Sequence, residues 1–332
     1  MRYWLAISIL LPISNAFAQA PTETRTIALS QIEEPRQIQE FINLVRSICE
    51  VREVTADWKA HTITVTGNPD QLALVGWLRN ELDHPADARP GDFTLSDTTF
   101  NDARSPAVKV CYPVHLSTPQ QLQEAINGVR SIAEAQRVVS MTAEGAIVLR
   151  SDADHAAFAE WVLREADTAA AGKAPREASQ YTFTDPMMRP AMRVSQARVY
   201  HPAGAWTAAD LQETVNALRV ISGAMRVVYF TAGSAIALRG SDDQVAIADW
   251  LIGQLVEPTP NGEHQYEGPA LKDQIVRAFF PSNGKTPQEL LNDVAQVRQS
   301  AGIQWIAACT RSGALIVRGT ANQVSNAASV LP

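Results

Sequence analysis

The stretch Leu122–Val139, LQEAINGVRSIAEAQRVV, followed six residues later by Ala146–Asp167, AIVLRSDADHAAFAEWVLREAD, spells out most of one folding unit. Leu122, Ile126, Val129 and Ile132 recur at the helical period and predict a helix with one buried face. Its start is marked by Thr118-Pro119, where threonine caps free amides and proline fits the first helical position. A β segment around Val138 and a second over Ala146–Leu149 are separated by Ala143-Glu144-Gly145, which suggests an antiparallel hairpin. Asp152 then suits a helix N-cap. The helix after it buries Phe158, Trp161 and Val162. Ahead of the first helix, Val108–Pro113 alternates apolar and basic residues as a half-buried strand does, and Pro113 stops its pairing. The unit reads β-α-β-β-α.

Working outward, the same pattern recurs without gaps at four places. An arginine near the end of the first helix (Arg46, Arg130, Arg219, Arg298) is followed 21 positions later by a turn residue (Gly67, Ser151, Gly240, Gly319). A tryptophan follows 31 positions after the arginine at Trp77, Trp161 and Trp250, with Ser329 in the fourth slot. The chain is therefore an α+β tandem repeat of four small modules, each expected to be a three-stranded sheet with two helices on one face. The expected boundaries are a signal peptide (1–18), module one (19–83), a linker (84–106), module two (107–167), a linker (168–196), module three (197–256), a linker (257–274) and module four (275–332). The last helix of module four reads as short or incomplete, because Ala327, Ala328 and Ser329 carry little apolar area. Each linker holds an aromatic residue, at Phe93, at Tyr181 and Phe183, and at Tyr266, which suggests packing on a neighbouring unit.

The first 18 residues read as an export signal, with Arg2, an apolar run from Trp4 to Ile13 and Ala16-Phe17-Ala18 as cleavage site. The expected location is outside the cytoplasm, periplasmic or secreted, with no membrane span after cleavage. The 332-residue chain holds 28 Lys and Arg against 35 Asp and Glu. That acidic balance speaks against a nucleic-acid partner. Cys49, Cys111 and Cys309 occupy different repeat positions, so each reads as a small buried hydrophobe. A single bridge such as Cys49 to Cys111 is the alternative.

Ile147-Val148-Leu149-Arg150-Ser151 and Leu315-Ile316-Val317-Arg318-Gly319, each a final strand leading to a cap, together with helices ending near Leu82-Asp83 or Ala166-Asp167, resemble the secretin N-domain family. The unit is also similar to KH-type domains, but has no Gly-x-x-Gly loop between helices. Secretin N-domains are periplasmic modules that precede an outer-membrane pore in bacterial secretion systems, and nothing pore-like follows the fourth unit here. The resemblance implies an envelope module that packs against copies of itself or partner proteins. It transfers no catalytic residue.

No catalytic, cofactor-binding or metal-ligating set emerges from the sequence. The six histidines share no repeat position, and no Gly-x-Ser-x-Gly elbow or phosphate loop is present. Asp152 and Asp154 read as helix-start residues rather than metal ligands. The candidate interaction or repeat-structural residues are Arg46, Arg130, Arg219, Arg298, Trp77, Trp161 and Trp250. Each arginine has two readings: its stem covers apolar surface while the guanidinium binds helix carbonyls or an acidic neighbour, or it bridges units through a carboxylate. The expected function is a non-enzymatic envelope scaffold or adaptor that assembles with itself or with envelope proteins. The alternative is a binding protein for peptide or glycan in clefts between modules, with Tyr181, Phe183 and Tyr266 stacking on the ligand.

Overall fold

The computed structural model describes residues 22–84, 93–173, 177–185, 194–256, 262–281 and 285–331. The expected signal peptide and parts of the three linkers lie outside the described residues. Module one runs β1 (Glu23–Ala28), α1 (Pro35–Ile48), β2 (Glu53–Asp57), β3 (Thr62–Gly67) and α2 (Pro69–Leu82). Strand β3 is central, antiparallel to β1 on one side and to β2 on the other.

Module two contains β4 (Thr94–Thr99), β5 (Ala107–Tyr112), α3 (Pro119–Gly128, continued by a π-helical turn over Val129–Ala133), β6 (Arg137–Met141), β7 (Ala146–Ser151) and α4 (Ala153–Ala170). Module three repeats it with β8 (Ser179–Thr184), β9 (Val194–Tyr200), α5 (Ala208–Ser222), β10 (Arg226–Phe230), β11 (Ala235–Gly240) and α6 (Asp242–Val256). Module four follows with β12 (Gly262–Tyr266), β13 (Gln274–Phe280), α7 (Pro287–Ala301), β14 (Trp305–Cys309), β15 (Ala314–Thr320) and α8 (Ala321–Val330). The chain is thus α+β, with eight helices and four small antiparallel sheets among the described residues.

Among the described residues a three-stranded sheet is found in module one alone. In the other three, part of the segment expected as linker adds an edge strand, so that β4, β8 and β12 pair antiparallel with β5, β9 and β13. Sequences such as TLSDTT carry little apolar area, and a solvent-facing edge strand needs little. A search for hydrophobic alternation passes over them.

Local chemistry sets the helix starts. The Thr118 hydroxyl accepts from Gln121 N at 3.2 Å while the Gln121 side chain accepts from Thr118 N at 3.1 Å. The same reciprocal box opens α1, α2, α5, α7 and α8, satisfying amides that the helix itself leaves free. At the far end of the unit, the buried Asp83 carboxylate accepts from Ser30 N at 2.7 Å and Ile32 N at 3.0 Å. Asp167 does the same for His115 N and Leu116 N at 2.7 and 3.1 Å. The short α8 buries Val324 and Ala327 within module four's own core.

The modules stack through a second core. In β7 every residue from Ala146 to Arg150 is buried, whereas β3 alternates Thr62, Thr64 and Thr66 with buried Ile63 and Val65. The reason is that β7 is covered on both faces. Val108, Val110, Tyr112, Met141, Ala146 and Val148 pack with Phe41, Leu44 and Ile48 of α1. Likewise Val199, Phe230, Ala235 and Ala237 join the helices of module two, and Val276, Ala278, Cys309 and Ile316 join those of module three. The helical layers of modules one, two and three are therefore each held between their own sheet and the sheet of the next module. Covering that second face adds about 1.5–3 kcal/mol for each large aliphatic side chain it takes out of water.

Cys49 belongs to the core of module one, Cys111 to that of module two and Cys309 to the joint between modules three and four. All three are free and buried. The Cys49–Cys111 bridge is not formed, because the two side chains point into separate cores. Burial pushes the Cys111 and Cys309 thiols up to about 12 and raises that of Cys49 as well.

Candidate functional site: the joints between modules

Three joints are built from the same polar parts around their apolar centres. Six positions before the recurring arginine stands a glutamate, Glu40, Glu124 or Glu213. Each reaches the hairpin of the following module, where a threonine gives it both backbone N–H and hydroxyl. Thr142 donates to Glu40 at 2.8 and 2.6 Å, Thr231 to Glu124 at 2.8 and 2.8 Å, and Thr310 to Glu213 at 2.8 and 2.8 Å. A carboxylate that accepts two hydrogen bonds in fixed geometry sets the register of helix against hairpin.

The second part is an arginine on the last strand. Arg150 Nη1 donates to Ile48 O at 2.7 Å, Arg239 Nη1 to Ile132 O at 3.0 Å, and Arg318 Nη1 to Ile221 O at 2.9 Å. Each guanidinium thus caps the C-terminal end of the preceding module's first helix, where carbonyls lack partners and the dipole favours a cation. Arg150 is buried, and its charge is met by Asp102 at 2.6 Å, Glu50 at 3.4 Å and the carbonyl of Ser105 at 3.0 Å. Aromatic faces complete the setting: Phe100 lies 4.2 Å from Arg150, Phe183 4.6 Å from Arg239 and Trp305 5.5 Å from Arg318.

The first two joints add a glutamate in the left-handed backbone region. Glu50 (φ 57°) pairs with Arg137 and Arg150, and Glu134 (φ 58°) with Arg226 and Arg239. Glycines 223 and 302 hold the equivalent position in modules three and four. A non-glycine residue there is strained, and the ion pairs across the joint offset that strain. The hydrogen bond from Arg226 and the charges of Arg226 and Arg239 hold the Glu134 carboxyl below the usual carboxylate range against the opposing effect of burial.

Arg46, Arg130 and Arg219 do not cross a joint. Each donates from Nη2 to a carbonyl in its own module: Val54 at 3.2 Å, Val138 at 2.8 Å and Val227. The acceptor lies in the neighbouring edge strand rather than in the helix or on a carboxylate. Arg298 is exposed in the last turn of α7. Trp77, Trp161 and Trp250 are half-buried on the second helices. Trp161 lies 5.3 Å from Tyr181 and Trp250 5.7 Å from Tyr266, so the added edge strand of one module packs on the second helix of the one before. Tyr181 and Phe183 also stack on Phe158 at 4.7 and 5.1 Å. The aromatics on which a peptide- or glycan-stacking site would rest are used in packing.

Glu134, His155 and Asp185 bring possible ligand atoms within 4.8 Å of one another. Both oxygens of Glu134 are held by guanidinium groups, and His155 Nδ1 lies 2.8 Å from Asp152. The cluster is an ion-pair network of the second joint.

The glutamate, threonine and last-strand arginine columns escape a search for residues common to all four units, because each occurs in three. Module one has Trp58 and Thr66 where the others have the hairpin threonine and the arginine. Module four has Asn292 in place of the glutamate. Each of these columns breaks at the module whose corresponding face meets no other module among the described residues.

No family model matches the chain, and no curated protein does. Among solved structures, ExeD of Aeromonas hydrophila is similar over 71% of this chain and 41% of its own, at 14% identity and a TM-score of 0.17. The double-ringed trimeric shell protein MSM0271 from the RMM microcompartment aligns over 52% of this chain and 98% of its own, at 15% identity and a TM-score of 0.16. Aspartate kinase from Synechocystis aligns over 94% and 54%, at 12% identity and a TM-score of 0.17. Scores this low carry no functional argument. No helix among the described residues is long and apolar enough to cross a membrane.

Proposed function

We propose that the protein is a non-enzymatic scaffold of the bacterial cell envelope, exported by its N-terminal signal and built as four secretin-N-domain-like modules in a fixed stack. The observation that carries the reading is the repeated joint. Glu40–Thr142, Glu124–Thr231 and Glu213–Thr310 set the same register three times, which suits a body that holds partners at defined spacing. The secretin likeness of the final strands and caps supports an envelope setting.

Self-association through the same joint is not part of this proposal. At the positions where α1 has buried Phe41, Leu44 and Ile48, α7 has Asp293, Gln296 and Ser300, the last two exposed. The outward face of module one's sheet is threonine-rich. Neither surface repeats the apolar seam that joins modules within the chain, and polar outer faces are what terminal repeats of a stack carry.

The test is site-specific photo-crosslinking in the envelope of cells expressing the full chain, with the probe placed in turn on edge strands, hairpins and outer helix faces. Discrete adducts from a contiguous set of positions, together with removal of the first 18 residues, are the expected result. Retention in the cytoplasm, or no adduct from any position, would overturn the reading.

A further inference from the structure

The first joint carries a set of arginines that the other two lack. A surface cleft of about 630 Å³ is lined by Arg46, Glu50, Arg52, Gln71 and Arg137, with Ser47 and Val51 completing the wall. Three guanidinium groups and one carboxylate face the same space, in a chain whose net charge is −7. The carboxylate is already committed: Glu50 is paired with Arg137 and with Arg150. Arg46 and Arg52 make no ion pair among the described residues, and Arg46 spends a single Nη2 donor on Val54 O. Arg137 Nη1 is buried without a hydrogen-bond partner. The wall is braced by Gln71, whose Nε2 donates to Cys49 O at 3.2 Å and Glu50 O at 2.9 Å.

We infer that this cleft is an oxyanion-binding site that takes a phosphate or carboxylate group. Guanidinium forks match the paired oxygens of such groups, and charge-assisted hydrogen bonds to them are about twice as strong as neutral ones. Arg137, Arg46 and Arg52 all line the cleft and supply its positive charge. The second joint has Gln136 in the place of Arg52. The third has Met225 there and Trp305 in the place of Arg137. The full set of arginines therefore occurs once.

The shared chemistry is an oxyanion, and its source is either a free ion or an acidic segment of another protein. Arginine Nε–Hε resonances of the full chain would be titrated with sodium phosphate, and in parallel with a hexaglutamate peptide, both at constant ionic strength against sodium chloride. Saturable shifts with one site per chain are expected for at least one probe. Saturation by phosphate alone assigns a free ion, and tighter saturation by the peptide assigns an acidic segment. Arg52→Gln, at an exposed position with no internal ion pair, should weaken binding about tenfold through loss of a charged donor group. Gln136→Arg should create a second site and raise the stoichiometry to two. Failure of both probes to saturate, or unchanged affinity in Arg52→Gln, would overturn the assignment.

Discussion

Thr231, at the end of β10, gives both its backbone N–H and its hydroxyl to Glu124 of the preceding module, each at 2.8 Å. One carboxylate thus fixes where a hairpin sits on a helix that belongs to another folding unit. The arrangement is repeated by Thr142 with Glu40 and by Thr310 with Glu213.

Glu124→Ala should cost about 2 kcal/mol, because the Thr231 amide loses a charged acceptor at a part-buried site. A double-mutant cycle with Thr231→Val in chemical denaturation should return a coupling of about 1 kcal/mol. Additive losses would mean that the pair is incidental to the joint.

Arg150 is expected to be among the most sensitive joint residues, being buried. Truncation to alanine leaves the Ile48 carbonyl without its charged donor at a buried site, a class of change that costs about 1–3 kcal/mol. Arg25→Ala, which removes an exposed pair with Glu23, should lie within about 1 kcal/mol of the wild type. Amide exchange at the end of α1 should accelerate in the first variant and stay unchanged in the second.

Gly128 faces the joint from α3, and a Cβ added there would lie 2.6 Å from a ring carbon of Phe230. Its backbone is helical, so Gly→Ala would otherwise gain up to about 1 kcal/mol. The clash should win, giving a net loss of about 1–3 kcal/mol in thermal or chemical melts. Phe230→Leu in the same chain should recover most of it, which a purely helical effect would not do.

Acid should loosen the second joint through Glu134. Its folded carboxyl titrates below the ordinary glutamate value of 4.5, so the stabilisation is present above that pH and is lost as pH falls through the lower folded value. The measurement is stability against pH for wild type and Glu134→Gln. The two curves should converge below the folded value and separate above 4.5. Parallel curves would show that the ion pair contributes nothing to pH dependence.

Much of this architecture is legible in the residues. Thr118-Pro119, Asp152 and the Leu122–Ile132 stripe place the helices, and the arginine–glycine–tryptophan spacing counts the modules. Burial on both faces is also written in the strands: Ala314–Val317 is unbroken apolar sequence, whereas Thr62–Thr66 alternates. The edge strands β4, β8 and β12 were hidden because their pairing rests on backbone hydrogen bonds rather than apolar side chains. The joint residues were hidden for another reason. Glu124 and Thr231 are 107 positions apart, so nothing local links them, and their columns are incomplete where a module has no neighbour. Arg130 shows the converse limit: its recurrence is plain, but its acceptor, Val138 O, is a backbone atom that no sequence column displays.

Because each joint is asymmetric, with glutamate in front and threonine plus arginine behind, the inner modules behave like interchangeable links with a direction. A duplicate of module three inserted after the original would offer its Glu213 to Thr310 and present its own Thr231 and Arg239 to Glu213 and the Ile221 carbonyl of the original. The length of the body is then an editable quantity, a ruler whose graduations are spelled by three residue columns.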